Sequence, residues 1–410
     1  MSESTGISIT KVFAQEIRDS RRNPTIKVTI EAGSVSGSFS VPSGASTGIN
    51  EAHELRDGDG SGVQNAISRV NDTIAPALLH KDVSNQKEID RILIGLDGTP
   101  NKDNLGGNAM IGVSVACAKV AAQISGLQTF EYLRNLMEIK PSRKAPYLFM
   151  NLINGGKHAH NGLAFQEYHI VPDTDNTEEA VEIGNKIQDS LKEIINRELG
   201  EDSIALGDEG GYAPKTSDVR KPLEYLREAI KTNNLEGRVK LALDVASSSF
   251  YKNESYEVDG QHLSEEELLE LYKSLIQEFS LFSIEDPFDE EDFASFRELK
   301  ERNVGLMVVG DDLTVTNKVL LQKAIDEDSI NAMIIKPNQI GTLTETLETM
   351  KLARENDIEL IVSHRSGETD DDFIADLAYA FNCFGLKAGS PQKAERMVKY
   401  KRLMEIQSKS

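Results

Sequence analysis

Residues 332–338 read AMIIKPN, a short apolar run that ends in a charged residue, and this pattern recurs between residues 203 and 390. The full series is IALGDEGG (204–211), VKLALDVA (239–246), LFSIEDP (281–287), LMVVGDD (306–312), AMIIKPN, ELIVSHRS (359–366) and CFGLKAG (383–389). The charged ends follow one another at intervals of about 25 to 40 residues, which is the length of a strand, a helix and two connections. Runs that are apolar on both faces are typical of parallel strands covered on both sides. The series predicts a (β/α) barrel whose active site is built from the strand ends.

The chain is too long for a barrel alone. Its 410 residues exceed the roughly 250 that such a barrel needs, so we expect two domains, 1–139 and 140–410, separated at the start of the KPSRKAP linker. In the first, the alternating pattern of residues 7–41 predicts a three-stranded antiparallel meander. Three- and four-residue spacing of apolar side chains predicts helices in 62–95 and 103–138, so this domain is α+β.

The second domain is expected to begin with two adjacent strands. Strand-like runs at Tyr147 to Ile153 and Ala164 to Val171 precede a helix from Glu178 to Leu199, and only then does the regular alternation begin. The whole chain is therefore of the α/β class.

Composition excludes several functions. A net charge of −22 argues against non-specific binding of nucleic acid, which is itself a polyanion. The start, MSESTGISIT, has no features of a secretory signal, and the apolar stretch from Met110 to Leu127 contains polar residues that favour a buried helix over a membrane span. The isolated cysteines Cys117 and Cys383 are typical of free thiols in a reducing compartment. We therefore expect a cytoplasmic protein without a membrane span.

Three acids end successive runs: Asp244, Glu285 and Asp311. The ends of successive barrel strands face one mouth, so these carboxylates are expected to converge, and they repel one another unless a cation lies among them. Hard oxygen ligands suit Mg²⁺. Each acid alone could instead cap the following helix, but three in consecutive units, together with Lys336 and Lys387 from later runs, favour a metal site.

Acid–base groups are expected at the same mouth. Nearby cations disfavour the charged form of a lysine, which makes Lys336 or Lys387 a candidate base near neutral pH, although both could simply pair with the acids. Glu209 lies in the glycine turn GDEGGYAP, and Glu167 is expected at the end of an earlier strand. If these two carboxyls approach each other, repulsion leaves one protonated as an acid.

The set is completed by a predicted anion clamp of His364, Arg365 and Ser366, because arginine grips phosphate or carboxylate with two hydrogen bonds. A metal, a lysine base, a carboxylic acid and an anion clamp together suit removal of a proton next to a carboxylate.

The chain resembles the enolase family along almost its whole length. The motifs that carry the resemblance are DSRRNPT (19–25), VPSGASTG (41–48), NGGKHAHN (154–161), GDEGGYAP (207–214), LDVASSSFY (243–251), SIEDPF (283–288), VGDDLTVTN (309–317), IIKPNQIGT (334–342), SHRSGETDD (363–371), and LKAGSP with AERMVKY (386–400). The resemblance implies reversible dehydration of 2-phospho-D-glycerate to phosphoenolpyruvate in glycolysis and gluconeogenesis. It also implies an atypical (β/α)8 TIM-like barrel that begins ββαα.

The resemblance also implies roles for individual residues. In catalysis, Lys336 takes the C2 proton, and Glu209 protonates the departing hydroxyl with support from Glu167. Two Mg²⁺ ions bind per active site, one held by Asp244, Glu285 and Asp311, the other by Ser46 and the substrate phosphate. The implied substrate-binding residues are His158, Gln166, Glu167, His364, Arg365, Ser366 and Lys387.

The resemblance has further implications for the oligomeric state, the location and Arg22, and two alternative functions are considered beside it. The family forms homodimers or octamers, and a secondary surface or secreted pool is conceivable without a signal peptide. Arg22 stands where the family usually has glycine, and a positive φ there would strain it. The alternative functions are an acid-sugar dehydratase on the same barrel, which needs no phosphate clamp, and a non-catalytic surface binding protein.

Overall fold

The structure, a computed structural model, describes residues 7–44, 48–58, 60–159 and 161–409. The predicted meander is confirmed as an antiparallel sheet, with the strands Ile9–Arg18 (β1), Pro24–Ala32 (β2) and Val35–Ser40 (β3). Alternate side chains of β2 are buried, as the alternation predicted. Ser46, a predicted metal ligand, falls outside the described residues.

Each predicted helical stretch is divided in two. The first holds Gln64–Ser68 (α1), a π-helical segment at Arg69–Ile74, Ala75–Leu78 (α2) and, after a break, Gln86–Asp97 (α3); the second holds Gly107–Ile124 (α4) and Thr129–Leu136 (α5). The breaks contain His80 and Gly126, which have φ values of 67° and 68°. A left-handed residue cannot continue a right-handed helix, and the apolar spacing alone did not reveal these interruptions.

Helix α4 packs on the sheet as the central buried helix. A Cβ atom at Gly112 would lie 2.5 Å from Val28 Cγ2, so glycine permits the close approach. By length and composition α4 could cross a membrane, but 83% of it is buried inside the protein. The prediction of a buried helix is confirmed.

The remaining chain forms a closed eight-stranded barrel. Its strands are Tyr147–Asn154 (β4), Glu167–Pro172 (β5), Val239–Asp244 (β6), Ser283–Glu285 (β10), Met307–Gly310 (β11), Ala332–Ile335 (β12), Glu359–Ser363 (β13) and Gly385–Lys387 (β14). Its helices are Thr177–Leu199 (α6), Lys221–Thr232 (α7), Glu265–Phe279 (α8), Phe293–Arg302 (α9), Lys318–Asp326 (α10), Leu343–Glu355 (α11), Phe373–Ala380 (α12) and Ala394–Gln407 (α13). Strand β5 is antiparallel to β4 and β6. The described part of the connection between β4 and β5 contains only the short 3-10 helix Gly156–His158 and no crossover α-helix, which a parallel pair would need. The ββαα start is confirmed.

One local expectation was wrong, and one element was not predicted. Residues 204–209, the first of the apolar runs, form no barrel strand and lie in a loop that contacts β4 through the bridge between Ile153 and Tyr212. The chain after β6 holds an unpredicted small sheet of Tyr251–Lys252 (β7), Ser255–Val258 (β8) and Gln261–Leu263 (β9). The strand prediction for 204–209 was wrong because a short apolar run followed by glycines occurs both in strands and in loops that pack on a barrel, and the pattern does not distinguish them.

Large side chains fill the lower barrel interior, and polar ones occupy the mouth. Tyr147, Phe149, Val171, Ala242, Val309, Ala332, Ile334 and Ile361 form a separate apolar cluster inside the barrel. Such a plug is usual for this architecture and leaves the C-terminal ends of the parallel strands to build a site.

The N-terminal sheet and helices are fastened to the barrel beside this mouth. Ser43 and Gly367 exchange two backbone hydrogen bonds of 2.8 Å. Asp90 on α3 accepts the backbone N–H of Thr344 at 2.9 Å, which caps the start of α11. These contacts place the segment around residue 43 against the loop that follows β13.

Candidate active site

The predicted site residues meet at one end of the barrel. A cavity of about 20 Å³, room for a single water molecule, is lined by His158, Gln166, Glu167, Glu209, Asp244, Lys336, Ser363, His364, Arg365, Ser366 and Lys387. Most of these side chains follow the C-terminal ends of parallel strands, as predicted. Glu167 instead begins β5, and it reaches the same mouth because that strand runs antiparallel.

Lys387 lies at the centre of an acidic cluster. Its Nζ donates hydrogen bonds to Asp244 Oδ2 at 2.7 Å and to both oxygens of Glu285 at 2.9 Å, and it lies 3.5 Å from Glu167 Oε2. Burial opposes the charge of Lys387, but the carboxylates raise its pKa well above the usual range. Burial likewise opposes ionisation of Asp244, yet contact with Lys387 lowers the pKa of Asp244 to about 2.

Lys336 is held by the third predicted metal ligand. Its Nζ contacts Asp311 Oδ2 directly, and Asp311 Oδ1 accepts a hydrogen bond from Gln339 at 3.0 Å. Burial lowers the pKa of Lys336, but Asp311 outweighs it and the pKa is raised. The expectation of a depressed lysine pKa is therefore not met in this arrangement, because the contacting carboxylate stabilises the ammonium form.

The two glutamates of the acid pair lie around one histidine. His158 Nδ1 is 3.5 Å from Glu167 Oε1 and 3.8 Å from Glu209 Oε1. Burial and then the charge of Glu209 raise the pKa of Glu167 well above its usual range. Burial opposes ionisation of Glu209 too, but His364 and His158 beside it bring its pKa well below the usual range. Burial and mutual repulsion therefore favour a protonated Glu167 beside an ionised Glu209.

The tautomer of His364 follows from its neighbour. Arg396 Nη1 lies 2.7 Å from His364 Nδ1, and an arginine can only donate, so Nδ1 accepts and the ring proton is on Nε2. Nε2 lies 3.2 Å from Glu209 Oε2, which also accepts a hydrogen bond from Asn151 at 3.1 Å. Burial lowers the pKa of His364 to about 4, so a neutral ring faces the Glu209 carboxylate, and its Nε2 is near this carboxylate without a well-aligned hydrogen bond.

The predicted anion clamp is assembled but occupied by an internal partner. Arg365 donates to both carboxylate oxygens of Glu51, at 2.9 and 3.2 Å. Asn338 Oδ1 accepts a further hydrogen bond from Arg365 at 3.2 Å. Ser366 and His364, next to Arg365 in sequence, are buried at the same cavity. The three side chains therefore lie together at one wall of the site.

The donor set fits a hard divalent cation. Asp244 and Glu285 are register partners on adjacent strands, and Asp311 follows the next strand. Within the described residues, the carboxylates close enough to share an ion, at 4.8 Å or less, are those of Asp286, Asp311 and Asp312, while His158, Glu167 and Glu209 form a second such group. The predicted trio is less closely gathered because Lys387 and Lys336 lie against it. Oxygen donors of this number suit Mg²⁺ chemistry.

Three buried polar atoms of residues that line the cavity have no hydrogen-bond partner among the described residues: His158 Nδ1, Gln166 Oε1 and His364 Nε2. Unpaired buried polar atoms cost free energy, and their concentration at one small cavity is typical of a site that receives a polar ligand.

Sequence reasoning missed five residues of this site: Glu51, Asn151, His169, Gln339 and Arg396. His169 Nε2 lies 2.8 Å from Glu167 Oε2. Burial and the charge of Lys387 lower the pKa of His169 to about 3. A period-two reading of β5 from Glu167 would have found this histidine, because alternate residues face the interior. No spacing pattern indicated Glu51, because it lies in the N-terminal part of the chain and not beside a barrel strand.

Known proteins are similar to this chain over nearly its whole length. A family model described as "Enolase, C-terminal TIM barrel domain" matches residues 143–409, and one described as "Enolase, N-terminal domain" matches residues 9–133. A protein named Enolase from Methanocaldococcus jannaschii is 45% identical over 405 residues, covering 97% of this chain and 95% of its own. Enolase from Metallosphaera sedula is 44% identical over 408 residues (98% and 97%), and Enolase 1 from Entamoeba histolytica is 43% identical over 419 residues (98% and 96%).

Proposed function

The chain belongs to the enolase family and has enolase function, that of a hydro-lyase, and from this premise we propose how its residues act on the substrate. The reaction is the reversible dehydration of 2-phospho-D-glycerate to phosphoenolpyruvate. One observation carries the proposal: Lys336 follows β12 and Glu167 begins β5, and these strands are diametrically opposed in the closed barrel. A base and an acid on opposite walls can remove a proton and a hydroxyl from opposite sides of a substrate between them.

Lys336 is the base in this proposal. Its Nζ takes the proton from C2 of the substrate, on the wall that also carries Asp311. For this it must be neutral, and its contact with Asp311 now favours the ammonium. Asp244, Glu285 and Asp311 would hold a divalent cation, which would supply positive charge for the negative charge that develops on the substrate carboxylate; pairing of these carboxylates with the cation would also leave the lysines less tightly bound to them.

Glu209 and Glu167 form the acid. In this proposal Glu167, whose pKa is raised, carries the proton of the pair. Both carboxyls lie within 4.8 Å of each other around His158, so the pair can deliver that proton to the departing hydroxyl through Glu209. Neutral His364, held by Arg396, has its Nε2 3.2 Å from Glu209 Oε2 and can donate its N–H to this carboxyl once the two groups align.

The substrate's two anionic groups are held by separate cations. Arg365, with Ser366 and His364 beside it, binds the phosphate, because a planar guanidinium matches two phosphate oxygens. Lys387 faces the substrate carboxylate. His158 and Gln166, whose ring nitrogen Nδ1 and amide oxygen lack partners among the described residues, bind the substrate's remaining polar atoms.

The finer assignments belong to the proposal as well. Two Mg²⁺ ions would bind per site, and Ser46 would supply oxygen ligands to the second ion. The chain works in the cytoplasm as a homodimer or octamer, and its two domains meet near residue 140. An acid-sugar dehydratase is disfavoured by the buried arginine at the clamp, and a non-catalytic binding role by the retention of Lys336 and all three acids.

The test is turnover with a matched control. Purified protein with 2-phosphoglycerate and Mg²⁺ should produce the ultraviolet absorbance of phosphoenolpyruvate, and EDTA should abolish it. Lys336→Ala should lose this activity, whereas Lys318→Ala, at an exposed surface ion pair, should retain it. The residue roles proposed here are wrong if Lys336→Ala turns over normally, and turnover of acid sugars but not of 2-phosphoglycerate would favour the dehydratase alternative.

A further inference from the structure

A carboxylate from the N-terminal part of the chain grips the arginine of the anion clamp. Glu51 follows the segment 45–47 and reaches across to the barrel, where both of its oxygens accept hydrogen bonds from Arg365. The two side chains are 8% and 3% exposed. A buried ion pair of this geometry requires the two partners to be held in register, because desolvation otherwise exceeds the attraction.

Glu51 is itself fixed from three sides. Its Oε1 accepts the backbone N–H of Gly48 at 3.2 Å and a hydrogen bond from Gln339 Nε2 at 3.3 Å. The backbone of the next residue, Ala52, donates to Gln339 O at 2.7 Å. The carboxylate therefore cannot follow Arg365 if the arginine moves, and it acts as a rigid support.

The same contacts connect the clamp to the acidic ligands. Gln339 Nε2 also donates to Asp311 Oδ1 at 3.0 Å, so Asp311, Gln339, Glu51 and Arg365 form one chain of contacts. The bidentate grip uses one N–H from each of the two terminal nitrogens of Arg365, and Asn338 accepts from Nη1. A guanidinium held in this way has its plane fixed, which is what two-point recognition of a phosphate needs.

A negative charge beside the clamp otherwise weakens binding of an anionic substrate, so its presence needs a compensating benefit. Orientation supplies one: an arginine side chain loses rotamer entropy when it is fixed, and a support that fixes it before the substrate arrives removes that cost from binding.

We propose that Glu51 is a positioning residue for the reaction, which fixes the plane of Arg365 for the substrate phosphate and links the N-terminal part of the chain to the phosphate end of the site. This rests on the proposed role of Arg365. Because Glu51 touches the clamp and not the reacting carbon, it affects binding of the phosphate group and leaves proton removal by Lys336 unchanged.

The test separates binding from chemistry. Glu51→Ala should raise KM for 2-phosphoglycerate by about tenfold, as expected for loss of charge-assisted hydrogen bonds, while kcat and exchange of the C2 proton at saturating substrate stay within about twofold. Glu51→Asp, which keeps the charge on a shorter arm, should give an intermediate KM. The control is Glu31→Gln, also in the N-terminal part of the chain, because Glu31 pairs with Lys11 at the exposed surface.

Three outcomes overturn the inference. A lower KM in Glu51→Ala shows that Glu51 competes with the phosphate. An unchanged KM shows that Arg365 needs no support. A fall in kcat that matches the rise in KM, accompanied by a lower unfolding midpoint, shows a purely structural role. Calorimetric titration of wild type and Glu51→Ala with inorganic phosphate in the presence of Mg²⁺ should show weaker binding to the variant. This measurement stands even if wild type fails to turn over 2-phosphoglycerate, which is the separate failure of the proposed function.

Discussion

Lys387→Met should destabilise the protein more than removal of any exposed lysine. The ammonium lies within 2.9 Å of Asp244 and Glu285 and 3.5 Å from Glu167, and its side chain is 3% exposed. Methionine has a similar volume but no charge, so the carboxylates remain buried without their cation. Breaking a buried pair in this way costs about 3–5 kcal/mol, and we expect a loss of that size at pH 8 in EDTA.

The loss of unfolding free energy in Lys387→Met should increase as pH rises. With Lys387 present, the pKa of Asp244 is lowered to about 2, so its carboxylate stabilises the native state above pH 4. Without Lys387, burial raises that pKa above its unfolded value, and the native state then loses stability as pH rises through this region. The variant should therefore approach wild type at low pH, and the gap should widen towards pH 8.

Urea unfolding followed by far-ultraviolet circular dichroism measures these differences. Lys318→Met is the control, since Lys318 forms an exposed ion pair with Glu348, and such pairs contribute about 0–1 kcal/mol. Excess Mg²⁺ should stabilise Lys387→Met more than wild type, because a divalent cation can neutralise the buried carboxylates that have lost their lysine partner. If Lys387→Met loses no more than the control at pH 8, the reasoning about the acidic cluster is refuted.

Three further outcomes are expected. Burial lowers the pKa of His364 from 6.5 to about 4 and that of His169 from 6.5 to about 3. Between pH 6.5 and 4 only the unfolded chain takes up these protons, so the free energy of unfolding should fall as pH drops through that window. The variant His169→Met should make this fall, measured as the urea midpoint, less steep. Arg22 has a φ of 67°, so Arg22→Gly should raise the urea midpoint by the equivalent of about 1 kcal/mol, whereas Arg18→Gly, at the end of β1, should lower it. Glu209→Gln should abolish dehydration but retain exchange of the C2 proton measured by NMR in deuterated water, and loss of both would assign Glu209 to proton removal instead.

The sequence alone was enough to find the barrel and most of the candidate site. Repeated apolar runs ending in charged residues place Asp244, Glu285, Lys336 and Lys387 at one mouth, because parallel strands in a barrel all end on the same side. The two early strands were also visible. These features are local: each run contains both the strand and the residue that follows it, so spacing along the chain determines position in space.

Features that depend on contacts between distant segments were determined only by the tertiary structure. Residues 204–209 read as a strand but pack as a loop, because all eight positions in the closed barrel are taken by other strands. The pairing of Arg365 with Glu51, and the tautomer that Arg396 imposes on His364, join residues far apart in sequence. The raised pKa of Lys336 also depends on a contact between distant segments, namely that with Asp311. Sequence spacing determines which groups reach the barrel mouth, but their charge states follow from burial and from the neighbours they meet there, and these exist only once the chain has folded.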